Sequence, residues 1–323
     1  MLPLFVLLLL LLLSTSLAFD DSRTRHMIFP MAAAAYSDQP EYCLINKFKN
    51  YTLIRKVLVP CDDQNNDCFG FLAVAHDQKA IILSFRGTNS IQQLLNELAH
   101  VASDSLVPYF GVGLVGKYYK NAFDVVWNNG LLQAFEEIST TFPSYELWIT
   151  GHSLGGSIAS LAALFIGHLS LFDKTKIHLV TFGQPRTGDP SYARSVDIQI
   201  ANEHRIVHLR DIVPHVPPQF YSYAHHAQEI FYPNDMADGR PFIVCHGDED
   251  AGCSDSYYSE SVNDHLVYYG ERVSQFGLNG CVSVRSKEVQ SDVDETESVK
   301  AAVASLRPLL RADAFLKRQQ KTT

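Results

Sequence analysis

Residues 145–172 read YELWITGHSLGGSIASLAALFIGHLSLF. Tyr145–Thr150 is a short, largely apolar run of strand length, and Ser157–Phe172 continues with small and apolar residues over a helix-length span. Between them lies Gly151-x-Ser153-x-Gly155. Flanking glycines allow a tight strand-to-helix turn that holds the serine in strained backbone angles and lifts its oxygen above a sheet. A serine hydroxyl is a poor nucleophile until a base takes its proton and its geometry is forced. The start of the helix that follows would set backbone N–H groups and positive dipole beside an oxygen that gains charge.

Outward from this stretch, residues 69–87 (FGFLAVAHDQKAIILSFRG) place two apolar runs around the polar His76–Lys79, which predicts a strand pair joined by a turn. Ile91, Leu94, Leu95 and Leu98 fall at i, i+3, i+4 and i+7, the stripe of an amphipathic helix. A second helical pattern covers Lys117–Phe135, and two further strands read as Lys176–Phe182 and Arg205–Arg210. Strands alternating with helices predict an α/β fold, a parallel sheet covered on both faces.

Composition agrees. The 323 residues carry 26 Lys+Arg against 35 Asp+Glu, a net charge of −9, with 46% apolar residues and only 19% charged. That excludes a disordered chain and argues against nucleic acid as a partner, which would need clustered cations. Residues 1–18 hold no charged side chain and an apolar run from Leu4 to Leu13, shorter than the roughly 20 residues needed to cross a bilayer. With Ser16 and Ala18 at the positions a signal peptidase reads, they predict a signal peptide cleaved after Ala18, an uncleaved anchor being the alternative. The expected destination is outside the cell, or a secretory-pathway compartment such as the lysosome.

All six cysteines (Cys43, Cys61, Cys68, Cys245, Cys253 and Cys281) lie beyond that leader. An even count in an exported chain reads as three disulfides, with fifteen connectivities open. Cys61 with Cys68, and Cys245 with Cys253, bracket short polar spans that look like stapled loops; Cys43 and Cys281 would then join the two ends of one domain, 19–281. Asn50-Tyr51-Thr52 is a glycosylation sequon. Beyond it, residues 282–323 begin polar and charged, then turn helix-prone and basic near Arg307, Arg311, Lys317 and Arg318, with Pro308 interrupting. They predict a loosely attached or disordered tail, the alternative being a basic helix for a membrane surface or a partner.

A nucleophilic serine needs a base and an acid to orient it. Ten aspartates separate Ser153 from His265, so chain order alone selects none. Asp211 stands out because it follows the strand-like RIVHLR, and functional groups gather at the carboxyl ends of parallel strands. His215, His225, His226, His246 and His265 all follow it, and their spacing does not rank them. His152, next to the serine, is read as packing.

GHSLGG after an apolar strand, RGT at the end of an earlier strand and the order of the cysteines resemble the fungal-type class 3 triacylglycerol lipases over roughly residues 29–281. The resemblance implies an α/β-hydrolase fold, a central mostly parallel sheet flanked by helices, and a triad of Ser153, Asp211 and His265. Asp211 matches through HLRDIVPHVPP and His265 through DHLVYYG. It implies an oxyanion hole from the backbone N–H groups of Leu154 and Thr88, a lid at Ile91–Leu98, and disulfides Cys43–Cys281, Cys61–Cys68 and Cys245–Cys253. The family's segment after the lid is poorly matched around Val112–Tyr118, which leaves acyl-chain preference open. The activity implied is a secreted serine carboxylester hydrolase acting on acylglycerols at a lipid–water interface, with no cofactor, no metal and no obligate protein partner. Alternatives are an esterase on smaller or aromatic, feruloyl-type esters, and a non-catalytic lipid-binding homologue.

Overall fold

The computed structural model describes residues 19–61, 66–88, 105–257, 261–283 and 297–320. The predicted leader and the Ile91, Leu94, Leu95 and Leu98 stripe read as a lid both lie outside the described residues.

One eight-stranded sheet organises the chain. Its strands are β1 (Tyr51–Pro60), β2 (Asp67–Ala75), β3 (Ala80–Phe85), β6 (Glu146–His152), β7 (Ile177–Phe182), β8 (Asn202–His208), β9 (Glu229–Tyr232) and β10 (Ile243–Val244), lying side by side in that order. The five from β3 to β9 run parallel, while β1, β2 and β10 add antiparallel margins. A ribbon of β4 (Leu106–Pro108) and β5 (Leu114–Gly116) stands apart.

Alternate side chains of a strand face opposite sides of a sheet. Thus Ile81, Leu83, Leu147, Ile149 and Leu179 enter one core while Ile82, Trp148, Val180 and Phe182 enter the other. The first core is closed by α3 (Lys117–Val126), α4 (Leu132–Thr141) and α5 (Leu154–His168); the second by α1 (Phe29–Ala34) and α8 (Val273–Leu278). Helix α5 is buried nearly all round, as its small apolar sequence predicts. The helix expected over Lys117–Phe135 is broken at Gly130, whose φ of 121° suits glycine alone, and its second limb runs on to Thr141. Gly277 of α8 lies so close to α1 that a Cβ would stand 1.8 Å from the Ala33 carbonyl oxygen.

The cysteines join as Cys43–Cys281, Cys61–Cys68 and Cys245–Cys253, the set the family resemblance implies. The described part of the tail beyond residue 296 is packed on the domain instead of loosely attached. Residues Glu297–Gln320 form one helix, α9, with Pro308 inside it, and its Val299, Val303, Leu306 and Leu310 are buried. They pack on Ile212, Val213, Val216 and Val262. The apolar spacing of α9 was hidden in the sequence by the charges on its outer face and by a proline that reads as a breaker. Among the described residues, no helix is long and apolar enough to cross a membrane.

Candidate active site

The strand β6 ends at His152 and α5 begins at Leu154, so Ser153 occupies the bend between them. Its backbone sits at φ 61°, ψ −132°, a region that non-glycine residues avoid. The bend is closed by glycines: a Cβ on Gly151 would meet the Gly155 carbonyl oxygen at 2.2 Å, and one on Gly155 the Phe85 carbonyl oxygen at 2.2 Å. Backbone bonds hold the turn, Ser153 N–H donating to Phe182 O and Gly156 N–H donating to Ser153 O, both at 2.9 Å.

Two loops from far along the chain converge on this serine. Asp211 follows β8, and His265 lies in the short helix α7 (Val262–Leu266), which Ser261 caps by accepting from Asp264 N–H at 3.0 Å. The two loops are tied together, Ser261 N–H donating to Arg210 O at 2.9 Å and Arg210 N–H to Asp264 Oδ2 at 3.0 Å. As a result His265 Nε2 stands 2.9 Å from Ser153 Oγ, and its Nδ1 lies 2.9 and 3.0 Å from the Asp211 carboxylate oxygens. Ser153 and His265 are each 1% exposed and Asp211 0%.

Asp211 accepts from two more donors, the Tyr268 hydroxyl at 2.7 Å and Val213 N–H at 2.8 Å. Burial alone would raise its pKa, but the charge and hydrogen bond of His265, with those two donors, hold the carboxyl below its ordinary value. An ionised carboxylate only accepts, so Nδ1 of His265 carries hydrogen and Nε2 presents a lone pair to the serine. Gly183 leaves room for this pair: a Cβ there would lie 2.8 Å from Asp211 Oδ2 and 2.9 Å from His265 Nδ1.

His152 does more than pack. Its Nε2 donates to the backbone carbonyl of His265 at 2.8 Å, its Nδ1 accepts from the Tyr36 hydroxyl at 2.7 Å, and its ring stacks on the His265 ring with centroids 4.5 Å apart. Burial, reinforced by the neighbouring His265, pushes its pKa down to about 3, so it holds this geometry uncharged at neutral pH. Position next to the serine hinted at it; its partners, at positions 36 and 265, could not be read from spacing.

Leu154 opens α5 beside the serine, which puts its N–H at the positive end of the helix. Thr88 lies three residues beyond β3. Its neighbour Gly87 runs against the bend, a Cβ there falling 2.6 Å from His152 O and 3.0 Å from Ser153 Cβ. The other candidate histidines lie elsewhere: His215 faces Asp255 at 3.2 Å, His225 donates to Pro214 O at 2.7 Å, His226 contacts Glu203 at 2.6 Å, and His246 is exposed. Asp197 and Asp235 are spent on Ala227 N–H and Arg240.

Two groups of ligand-type side chains occur away from the serine among the described residues. In one, Cys245 and Cys253 are already joined to each other. In the other, Asp197, Glu203 and His226 pair among themselves.

The family profile described as Lipase (class 3) matches residues 82–221. A Caenorhabditis elegans protein, Lipase ZK262.3, is 35% identical over 297 residues, 81% of this chain and 83% of its own length. A lipase of Rhizomucor miehei is 34% identical over 209 residues, 63% of this chain but 56% of its own length. A solved triacylglycerol lipase in which a serine protease triad forms the catalytic centre superposes with a TM-score of 0.69 at 26% identity, covering 80% of this chain and 98% of that one. With the α/β-hydrolase sheet, the glycine-bounded serine and these relatives together, the chain belongs to the class 3 lipase family of carboxylic ester hydrolases.

Proposed function

We propose that the chain is a secreted acylglycerol lipase that works through a Ser153–His265–Asp211 triad and an acyl-enzyme. The observation that carries this is the unbroken line from Ser153 Oγ to His265 Nε2 and from His265 Nδ1 to Asp211, each step 2.9 Å. His265 Nε2 takes the serine proton as Oγ attacks the ester carbonyl, and Asp211 stabilises the imidazolium that results. The carbonyl oxygen, now negative, faces the N–H groups of Leu154 and Thr88, each such donor being worth about 10²–10³ in rate. His265 then returns the proton to the departing alcohol, and water activated by the same nitrogen releases the fatty acid. Leader-like residues 1–18 and three disulfides support passage through an oxidising secretory route.

Ser153→Ala is the test. Turnover of tributyrin and covalent labelling by a fluorophosphonate should both vanish while the melting curve stays in place; retained turnover sinks the assignment. A rate that jumps when long-chain triacylglycerol forms an emulsion supports a lipase. Preference for dissolved short or aromatic esters points instead to an esterase.

A further inference from the structure

The four apolar residues under α9 belong to neither main core. Ile212 and Val213 follow Asp211 directly, Val216 comes three positions later, and Val262 lies in the helix that carries His265. Leu266, the residue after His265, packs partly buried against the same cluster. Among the described residues, their apolar cover is the inner face of α9. An apolar wall that starts at the acid and ends at the base is what the hydrocarbon chain of an ester needs when its carbonyl sits at Ser153. Here α9 occupies it, through Val299, Val303, Leu306 and Leu310.

A charged latch holds the far end of that helix. Lys317 Nζ pairs with Asp255 at 2.8 Å and with Asp313 at 3.1 Å. Asp313 also accepts from the backbone N–H of Gln219 at 2.8 Å, and Asp255 lies 3.2 Å from His215 in the acid loop. Beside the latch, Phe315 and Leu316 stand 61% and 43% exposed, an apolar end that gains by leaving water for lipid.

We infer that α9 is an autoinhibitory strap: it occupies the acyl-chain wall beside Asp211 and His265, and a long acyl chain has to displace it to reach Ser153. The inference rests on the triad reading above. A short acyl group touches little of the wall and leaves the strap in place, so the strap selects against long chains until a lipid surface draws its end away. The energetic form is a competition, in which apparent affinity for a long chain falls by the fraction of molecules with α9 released.

The test uses the full-length protein and two covalent serine reagents, a phosphonofluoridate with a hexadecyl chain and one with an ethyl group. After reaction with the hexadecyl reagent, backbone amides over 299–310 should lose their protection against hydrogen exchange; after the ethyl reagent they should keep it. In parallel, Leu306→Asp, which places a charge at a fully buried contact, should speed labelling by the hexadecyl reagent about tenfold and leave the ethyl reagent unchanged. Protection retained with a hexadecyl chain attached to Ser153, or slower labelling of the variant, overturns the strap and makes α9 a scaffold for the acid and base loops. Should the variant fail to fold by circular dichroism, exchange on the unaltered protein decides alone. If neither reagent labels Ser153, the triad reading itself falls and the strap with it.

Discussion

Replacing Asp211 by Asn keeps the shape of a fully buried side chain and removes its negative charge. The carboxylate now meets three donors: His265 Nδ1, the Tyr268 hydroxyl and Val213 N–H. An amide offers one acceptor oxygen and one NH2 group. With its oxygen towards His265 and Tyr268, its NH2 opposes Val213 N–H, donor against donor. With the amide reversed, NH2 points at His265 Nδ1 and forces the hydrogen onto Nε2, which can then no longer take a proton from Ser153. Either orientation also strips the imidazolium of its counter-charge. For two unit charges about 4 Å apart at an effective dielectric near 20, that attraction is about 4 kcal/mol. By itself it is a factor of about 10³ in rate, and the wrong tautomer adds to it. Asp211→Asn is therefore expected to lower kcat/KM on a soluble butyrate ester by about 10³–10⁴, and fluorophosphonate labelling in parallel. A loss smaller than tenfold, in a variant with an unchanged circular dichroism spectrum, would mean that Asp211 does not orient the base.

Gly277→Ala forces a methyl group to within 1.8 Å of the Ala33 carbonyl oxygen, so α8 and α1 must move apart inside the second core. The expected loss is about 3 kcal/mol, a fall of about 5 °C in melting temperature; a shift under 2 °C would show that the two helices separate freely. Acid should weaken the fold well above the carboxylate range. Burial holds the pKa of His152 and His226 down to about 3 and that of His204 to about 4, while unfolded histidine takes its proton near 6.5. The unfolded state thus binds more protons as pH falls from about 6.5 towards 4, and each withheld proton costs up to about 1.4 kcal/mol per pH unit. Urea midpoints at pH 7.0, 5.5 and 4.5 should fall steadily, and a flat series would contradict the buried neutral histidines.

The class 3 lipase assignment and the α/β fold stand together, because the family's sheet is what turns a local glycine motif into a site. Strand, bend and helix around Ser153 were legible in residues 145–172, since each depends on neighbours within a few positions. The same holds for the strand pair now seen as β2 and β3. Edge strands were harder. β1 has mixed burial along its length, and β10 is two residues long. Neither shows a clean period of two.

What the chain alone determined, then, is its alternation of strand and helix and the sharp bend that carries one hydroxyl, both set by side chains that are close in sequence. Which of five histidines would face that hydroxyl was open on spacing until family likeness narrowed it, whereas Asp211 was marked among ten aspartates by its place after the strand-like RIVHLR. Those partners sit 58 and 112 positions away. Their approach depends on the order in which β6, β7 and β8 lie side by side and on the bonds that tie the acid loop to α7. The same folding back gave His152 its hold on the His265 backbone and laid α9 against residues flanking both loops. Contacts across such distances are chosen by burial of whole faces, a property of the assembled sheet that no short stretch of residues contains.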